Sequence, residues 1–243
     1  MYNFTYSRYQ PGFVFILCDL NEKMKLVYEQ MQIAVQSIVT DYIDRCISGC
    51  NVKNRVFISV IGYGNQEPHV IREGWADEWV CIMREWNRYK YNILHEELGT
   101  IYDCCNMWEY ISKNLRIIDG SYASQDGFNV LSPSIINITN RIPSDSEMTA
   151  IKIHELIDFT IQGNNVSIGH CILLNKYDNL DDIFLPTINN VSDSKLFAYW
   201  FQCCSVIDNN YNYISNQFAP WRHIIMTHRG IDAATLAYQT MGS

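Results

Sequence analysis

VFILCDLNEKMK, residues 14–25, changes character at Asp19. Five apolar residues lead into that aspartate, and together with Gly12 and Phe13 they make an uninterrupted run of strand length. Such a run reads as a strand buried on both faces, as in a parallel sheet. Beyond Asp19 the spacing becomes helical: Met24, Val27, Met31, Val35, Ile38 and Ile43 recur on one face of a helix expected over Glu22 to Ile47. A buried strand that runs straight into an amphipathic helix is the opening of an α/β unit.

The rest of the chain repeats that alternation. SGCNVKN turns the chain, and RVFISVIGYG, Arg55 to Gly64, is a β-branched second strand ending in two glycines. WADEWVCIMR is expected to hold a short third strand near Trp79 to Met83. GTIYDCCNMWEYISKNL reads as a helix with Thr100 near its start and Ile101, Cys104, Cys105, Trp108 and Ile111 on one face. PSIINIT, Pro133 to Thr139, is a fourth strand, and Val166 to Leu174 a fifth. Between them Ser146 to Ile161 reads as a helix with Ile151, Leu156 and Ile157 inward. Ser192 to Ile207 and the tail GIDAATLAYQTMGS supply further helices. The expected fold is a doubly wound, Rossmann-like, mostly parallel sheet flanked by helices, with one short antiparallel edge strand. Residues 1–243 read as a single domain, with long irregular stretches near 65–77, 117–132 and 175–190.

Composition narrows the function classes. The chain is 48% apolar and 18% charged, which is globular, and its net charge of −8 with no basic run argues against nucleic acid as a partner. Nine cysteines, with two adjacent pairs and no C-x-x-C, give neither a disulfide framework nor a zinc ribbon. Most lie in apolar stretches, so they read as buried free thiols of a reducing compartment. The N-terminus lacks a signal peptide's basic and apolar regions, and no stretch is apolar enough to span a bilayer. A cytoplasmic protein without membrane contact is expected.

Ligands of an open α/β sheet bind beyond the C-terminal ends of the strands, where strand order reverses. Asp19 ends the first strand, Asn140 follows the fourth, and Thr100 opens the helix before it, so the three can converge. Other constellations are weaker. HELID, His154 to Asp158, lacks the second histidine of a zincin and reads as a solvated helix face; HEEL, His95 to Leu98, also fails the motif. No phosphate loop, dinucleotide fingerprint or serine-hydrolase elbow occurs. The aromatic segment Trp75 to Tyr91 reads as packing around the edge strand, with an exposed protein-binding anchor as the alternative. YWFQCC, Tyr199 to Cys204, reads as a core helix face.

The ordered set of motifs resembles the von Willebrand factor type A (VWA) domain. Asp19-Leu-Asn21-Glu-Lys23-Met24 stands where that family has D-x-S-x-S-M, Gly99-Thr100 matches its Gly-Thr pair, and IINIT followed by Asn140 stands where its fourth strand ends in Asp-Gly. RVFISVIGYG and VSIGHCILLN look like its second and fifth strands, and HRGIDAATLAYQTMGS looks like the ending of a bacterial subgroup that often accompanies a PP2C-type phosphatase and a protein kinase. The resemblance implies a non-catalytic scaffold or adaptor that binds another protein, with that kinase or phosphatase as a candidate partner, in a signalling, stress-response or defence system.

It also implies a metal-ion-dependent adhesion site at Asp19, Asn21, Lys23, Thr100 and Asn140, in which the family holds Mg²⁺ or Mn²⁺ by oxygen ligands. Position by position, the site is degenerate. Asp19 and Thr100 match; Asn21 replaces a serine; Asn140 replaces an aspartate; Lys23 replaces a serine with a group that has three donors and no acceptor. At about 4 Å and an effective dielectric near 20, Asp19 and Lys23 would attract by about 4 kcal/mol. The expectation is therefore a metal-free site in which Lys23 ties down Asp19, unless it points to solvent from the first helical turn. The alternatives are a working Mg²⁺ or Mn²⁺ adhesion module, which could use Asp19, Asn21 and Thr100, and a small-molecule enzyme on the same sheet edge.

Overall fold

In the computed structural model the described residues are 7, 9–89, 98–99, 103–175, 194–205 and 225–228. The first strand, β1 (Gly12–Asp19), is buried along its whole length, as its unbroken apolar run demands. A short 3₁₀ turn (Glu22–Leu26) leads into α1 (Tyr28–Cys46), and every apolar position expected on the inner face of this helix is buried. A two-rung hairpin, β2 (Ile47–Ser48) with β3 (Asn51–Val52), reverses the chain. Then come β4 (Val56–Tyr63), β5 (His69–Trp75), α2 (Ala76–Tyr89) and α3 (Cys105–Ala123). The second half runs β6 (Ser134–Thr139), α4 (Ser146–Ile157), the small hairpin β7 (Thr160–Ile161) and β8 (Asn164–Asn165), β9 (Ser167–Leu173), α5 (Lys195–Gln202) and β10 (Ile225–His228).

Six strands form the main sheet in the order β10-β9-β6-β1-β4-β5. All neighbours are parallel except β4 and the edge strand β5, which are antiparallel. The Rossmann-like, mostly parallel sheet with an antiparallel edge is the expected one. After β1 the chain builds outward to β5 and then crosses to the other side of β1 to lay down β6. That reversal puts a crevice beyond the ends of β1 and β6.

Strand alternation divides the core into two layers. Val14, Ile16 and Cys18 face α1 and α2, while Phe13, Phe15 and Leu17 face α3, α4 and α5. Three tryptophans, Trp79, Trp108 and Trp200, are fully buried among these layers.

The third strand lies earlier than expected. It is His69–Trp75, and the expected Trp79–Met83 segment is helical. The reason is periodicity: Ala76, Trp79 and Met83 are buried, at spacings of three and four, on one face of the helix. HVIREGW was hard to see because an edge strand carries polar residues on both sides. The helix α4 stops at Ile157, short of Ile161, and its phase is set by Thr149, Ile153 and Leu156, so Ile151 is exposed rather than inward. The helix α3 extends through much of the stretch read as irregular after Ile117. The strand β10 was not expected at all, and the expected C-terminal helix, like the stretch 176–190, lies outside the described residues. Six of the nine cysteines are buried free thiols; Cys50 and Cys81 are exposed and Cys105 is half-buried.

Candidate functional site

β1 delivers Asp19 to the crevice, where its carboxylate is 1% exposed. A buried charge is tolerated only when it is paired and hydrogen-bonded, and Asp19 is both. Arg141, two residues past the end of β6, reaches back with Nε 3.0 Å from Oδ2 and Nη2 3.3 Å from Oδ1. This is a side-on, two-point grip of the kind that guanidinium makes best. Thr139, the last residue of β6, adds its hydroxyl to Oδ2 at 2.8 Å.

Arg141 is itself held from behind. It is 6% exposed, its Nη2 lies 3.2 Å from the Cys104 sulfur, and its backbone carbonyl accepts the Trp200 indole N–H at 2.9 Å. Burial first, and then the Asp19 charge, push the Cys104 thiol up, so it meets the guanidinium as a neutral acceptor. Gly64 closes on the pair, next to both the carboxylate and Arg141 Nη2. Its φ is +88°, and a Cβ there would lie 2.3 Å from Asp19 Oδ1, so both the conformation and the contact require glycine.

The asparagines are equally committed. Asn21 is fully buried. Its Oδ1 accepts the Lys23 backbone N–H at 2.9 Å, an N-cap for the 3₁₀ turn, and its Nδ2 donates to Asn140 Oδ1 at 3.3 Å. Gly99 is laid against the same turn, donating to the Leu20 carbonyl at 3.2 Å and accepting from the Glu22 amide at 2.9 Å. Thr100, expected as a site residue, lies outside the described residues.

The structure thus gathers Asp19, Asn21 and Asn140, and puts Lys23 elsewhere. Because Asn21 caps the turn, Lys23 falls on its outer side and is exposed. The cation that ties down Asp19 is Arg141, which corrects the expectation for Lys23. Only its place beside Asn140, just past the end of an apolar strand, hinted at this from the sequence.

The described residues of the crevice do not fit a resident dication. Both Asp19 oxygens, Asn21 Oδ1 and Asn140 Oδ1 already accept hydrogen bonds. The one carboxylate is neutralised by a guanidinium. A dication about 4 Å from that guanidinium would be repelled by roughly 8 kcal/mol at an effective dielectric of about 20. No group of three metal-ligating acidic, histidine or cysteine side chains occurs among the described residues.

Two supports sit behind the crevice. Tyr63 Oη donates to Asn137 Oδ1 at 2.7 Å, Asn137 Nδ2 lies 3.1 Å from His170 Nδ1, and His170 Nε2 lies 2.7 Å from the Cys203 carbonyl. Burial pushes His170 down to about 4, so it is neutral, and the chain of bonds fixes its Nε2–H as the donor to Cys203. The second support is Asp145, whose oxygens accept the amides of Cys104 at 3.0 Å and Cys105 at 2.7 Å, at the start of α3.

Burial works to raise the Asp145 carboxyl, but those two amides, with the Cys105 thiol and its own backbone amide, together outweigh it and hold it below its usual 3.8. A depressed carboxyl contributes stability above the unfolded value, and loses it as pH falls through the folded one. Asp145→Ala is expected to lower stability by about 1–2 kcal/mol at neutral pH. The deficit should shrink as the pH of urea unfolding is taken below the usual carboxyl range, where the native cap is protonated as well.

The described residues of the outer motifs are packing and solvent surface, while His95 to Glu97 of HEEL lie outside the described residues. His154 and Glu155 on α4 and Asp158 just past its end are exposed, Trp79 is core, and Phe197, Trp200 and Phe201 form the buried face of α5. No helix among the described residues is long and apolar enough to cross a membrane.

No protein-family model and no curated protein matches the chain by sequence. Solved structures do match in shape. Proximal thread matrix protein 1 from the mussel byssus aligns with a TM-score of 0.54 at 8% identity, over 95% of this chain and 47% of that one. The pilus adhesin SpaC from Lactobacillus rhamnosus GG aligns with a TM-score of 0.54 at 10% identity, over 95% of this chain and 29% of that one. The chain therefore spans less than half the length of either structure, and at these identities the likeness is one of fold.

Proposed function

We propose that this chain is a VWA-like, non-catalytic protein-binding module whose adhesion edge works without a divalent metal. The observation that carries the reading is the buried Asp19–Arg141 pair. In a metal-dependent edge the first aspartate is free to hold a cation, which then takes an acidic group from the partner. Here the aspartate is spent internally, so the edge is held in one shape by the protein's own cation. Asn21 and Asn140 belong to this edge as a degenerate adhesion site, to which the sequence resemblance adds Thr100. Lys23 is its exposed charge, placed to meet an acidic group of a partner. Structural likeness to an adhesin supports a binding role. The setting we propose is a bacterial, cytoplasmic multi-component system for signalling, stress response or defence, with a kinase or phosphatase as candidate partner.

The test is calorimetric titration with Mg²⁺ and Mn²⁺, paired with capture of the partner. The native chain is expected to give no heat in the millimolar range and to retain its partner under chelation. The exposed substitution Lys23→Glu should release that partner without changing the unfolding midpoint. Millimolar or tighter metal binding that Asp19→Ala abolishes would establish the metal-dependent alternative instead.

A further inference from the structure

A second site lies on the α3 side of the sheet, near the opposite ends of β1 and β4 from Asp19. It is a cavity of about 280 Å³, and the strand register explains it. Phe13, Phe57 and Trp75 are cross-strand neighbours and form one row. The next row is Phe15, Ser59 and Glu73. A small serine between a phenylalanine and a glutamate leaves a gap in an otherwise aromatic floor. The helix α3 roofs the gap with Tyr110, Asn114, Ile117 and Ile118, which share one stripe at helical spacing.

The chemistry of the lining is one-sided. Phe13, Phe57 and Trp75 stand at 46° to 74° to one another with centroids 5.6–6.2 Å apart, so they form walls at angles rather than a stack. Ser59 Oγ donates to Glu73 Oε2 at 3.3 Å, which draws the carboxylate over the serine floor. The Asn114 amide gives one of its two N–H groups to the Tyr110 carbonyl at 2.9 Å, and its oxygen is an acceptor. Among the described residues no lysine, arginine or histidine lines the cavity. Edge strands also carry inward charges as a guard against strand addition, but that role needs no cavity; here the carboxylate borders one.

We infer that this cavity binds a small organic cation, an alkylammonium group held between the aromatic walls and Glu73. Aromatic faces attract such cations, and quaternary ammonium is the group that aromatic cages recognise. The volume suits a ligand of choline size. The site is independent of the adhesion edge, so either can fail without the other.

The experiment is calorimetric titration of the full chain with choline and with its neutral isostere, 3,3-dimethyl-1-butanol. Choline is expected to bind in the millimolar range or tighter, with the isostere at least about fivefold weaker. Glu73→Gln, at an exposed residue, should weaken choline by a similar factor and leave the unfolding midpoint unchanged. Ser59→Leu, which fills the gap, should abolish binding. A peptide carrying trimethyllysine separates the sources: tighter binding than choline assigns the cation to a partner's side chain, equal binding to a free molecule, and either supports the site. Equal affinity for choline and its isostere, no response to Glu73→Gln, or no choline binding would overturn it.

Discussion

Arg141→Met is expected to destabilise the protein by about 3–5 kcal/mol, because it leaves the Asp19 carboxylate buried and unpaired. Two charges that have left water together are tolerable; one alone is not. The Thr139 hydroxyl remains on Asp19 but supplies no charge. The pair itself contributes far less than its rupture costs. The double variant Asp19→Leu/Arg141→Met should therefore recover most of the loss, since an apolar pair of similar volume is often neutral or better. Urea unfolding measures this directly as a shift in midpoint at constant slope. If the single variant lost less than about 1 kcal/mol, the pair would be behaving as a solvated surface contact, contrary to its burial. If the double variant were no better than the single, the guanidinium's contact with the Cys104 sulfur, rather than its charge, would be what matters.

Trp79→Ala is the second large effect, also about 3–5 kcal/mol. Trp79 is fully buried between α2, α1 and the sheet, and its indole N–H donates to the Ile58 carbonyl at 3.0 Å. Alanine leaves a cavity and removes that donor. The loss should appear as a lower unfolding midpoint with partner capture and choline affinity unchanged at temperatures where the variant is folded. Loss of partner capture by a folded Trp79→Ala protein would return this aromatic segment to the role of a binding anchor.

Much of the fold is legible where one local signal suffices. An unbroken apolar run marks β1, β-branched and apolar segments mark β4, β6 and β9, and helical periodicity marks α1. The rest is hidden where two signals compete. HVIREGW alternates too weakly to announce an edge strand, and the strong aromatic content of the next segment attracted the assignment instead. Among site residues, Asp19, Asn21 and Asn140 were legible because motif order and the switch point both bring them together. Arg141 was not, because nothing local separates a buried arginine from a solvated one; its role exists only once β6 lies beside β1. Lys23 departs from its expected role for a local reason. The cap made by Asn21 fixes the backbone of the turn and leaves the lysine on its outside. The cavity beside Ser59 needed the register of three strands, which sequence does not contain.

The central place of β1 also governs how this chain must be assembled. One side of β1 pairs with β4, soon after it in the chain, but the other pairs Val14 with Ser134 and Cys18 with Ile138. During synthesis from the N-terminus, this fully buried strand therefore waits with an open edge until β6 has emerged. Parallel pairings of such long range are slow to form and exposed to misassociation meanwhile. The Asp19–Arg141 pair cannot close before β6 docks, so it forms late and acts as a lock on the finished sheet rather than as a nucleus for it.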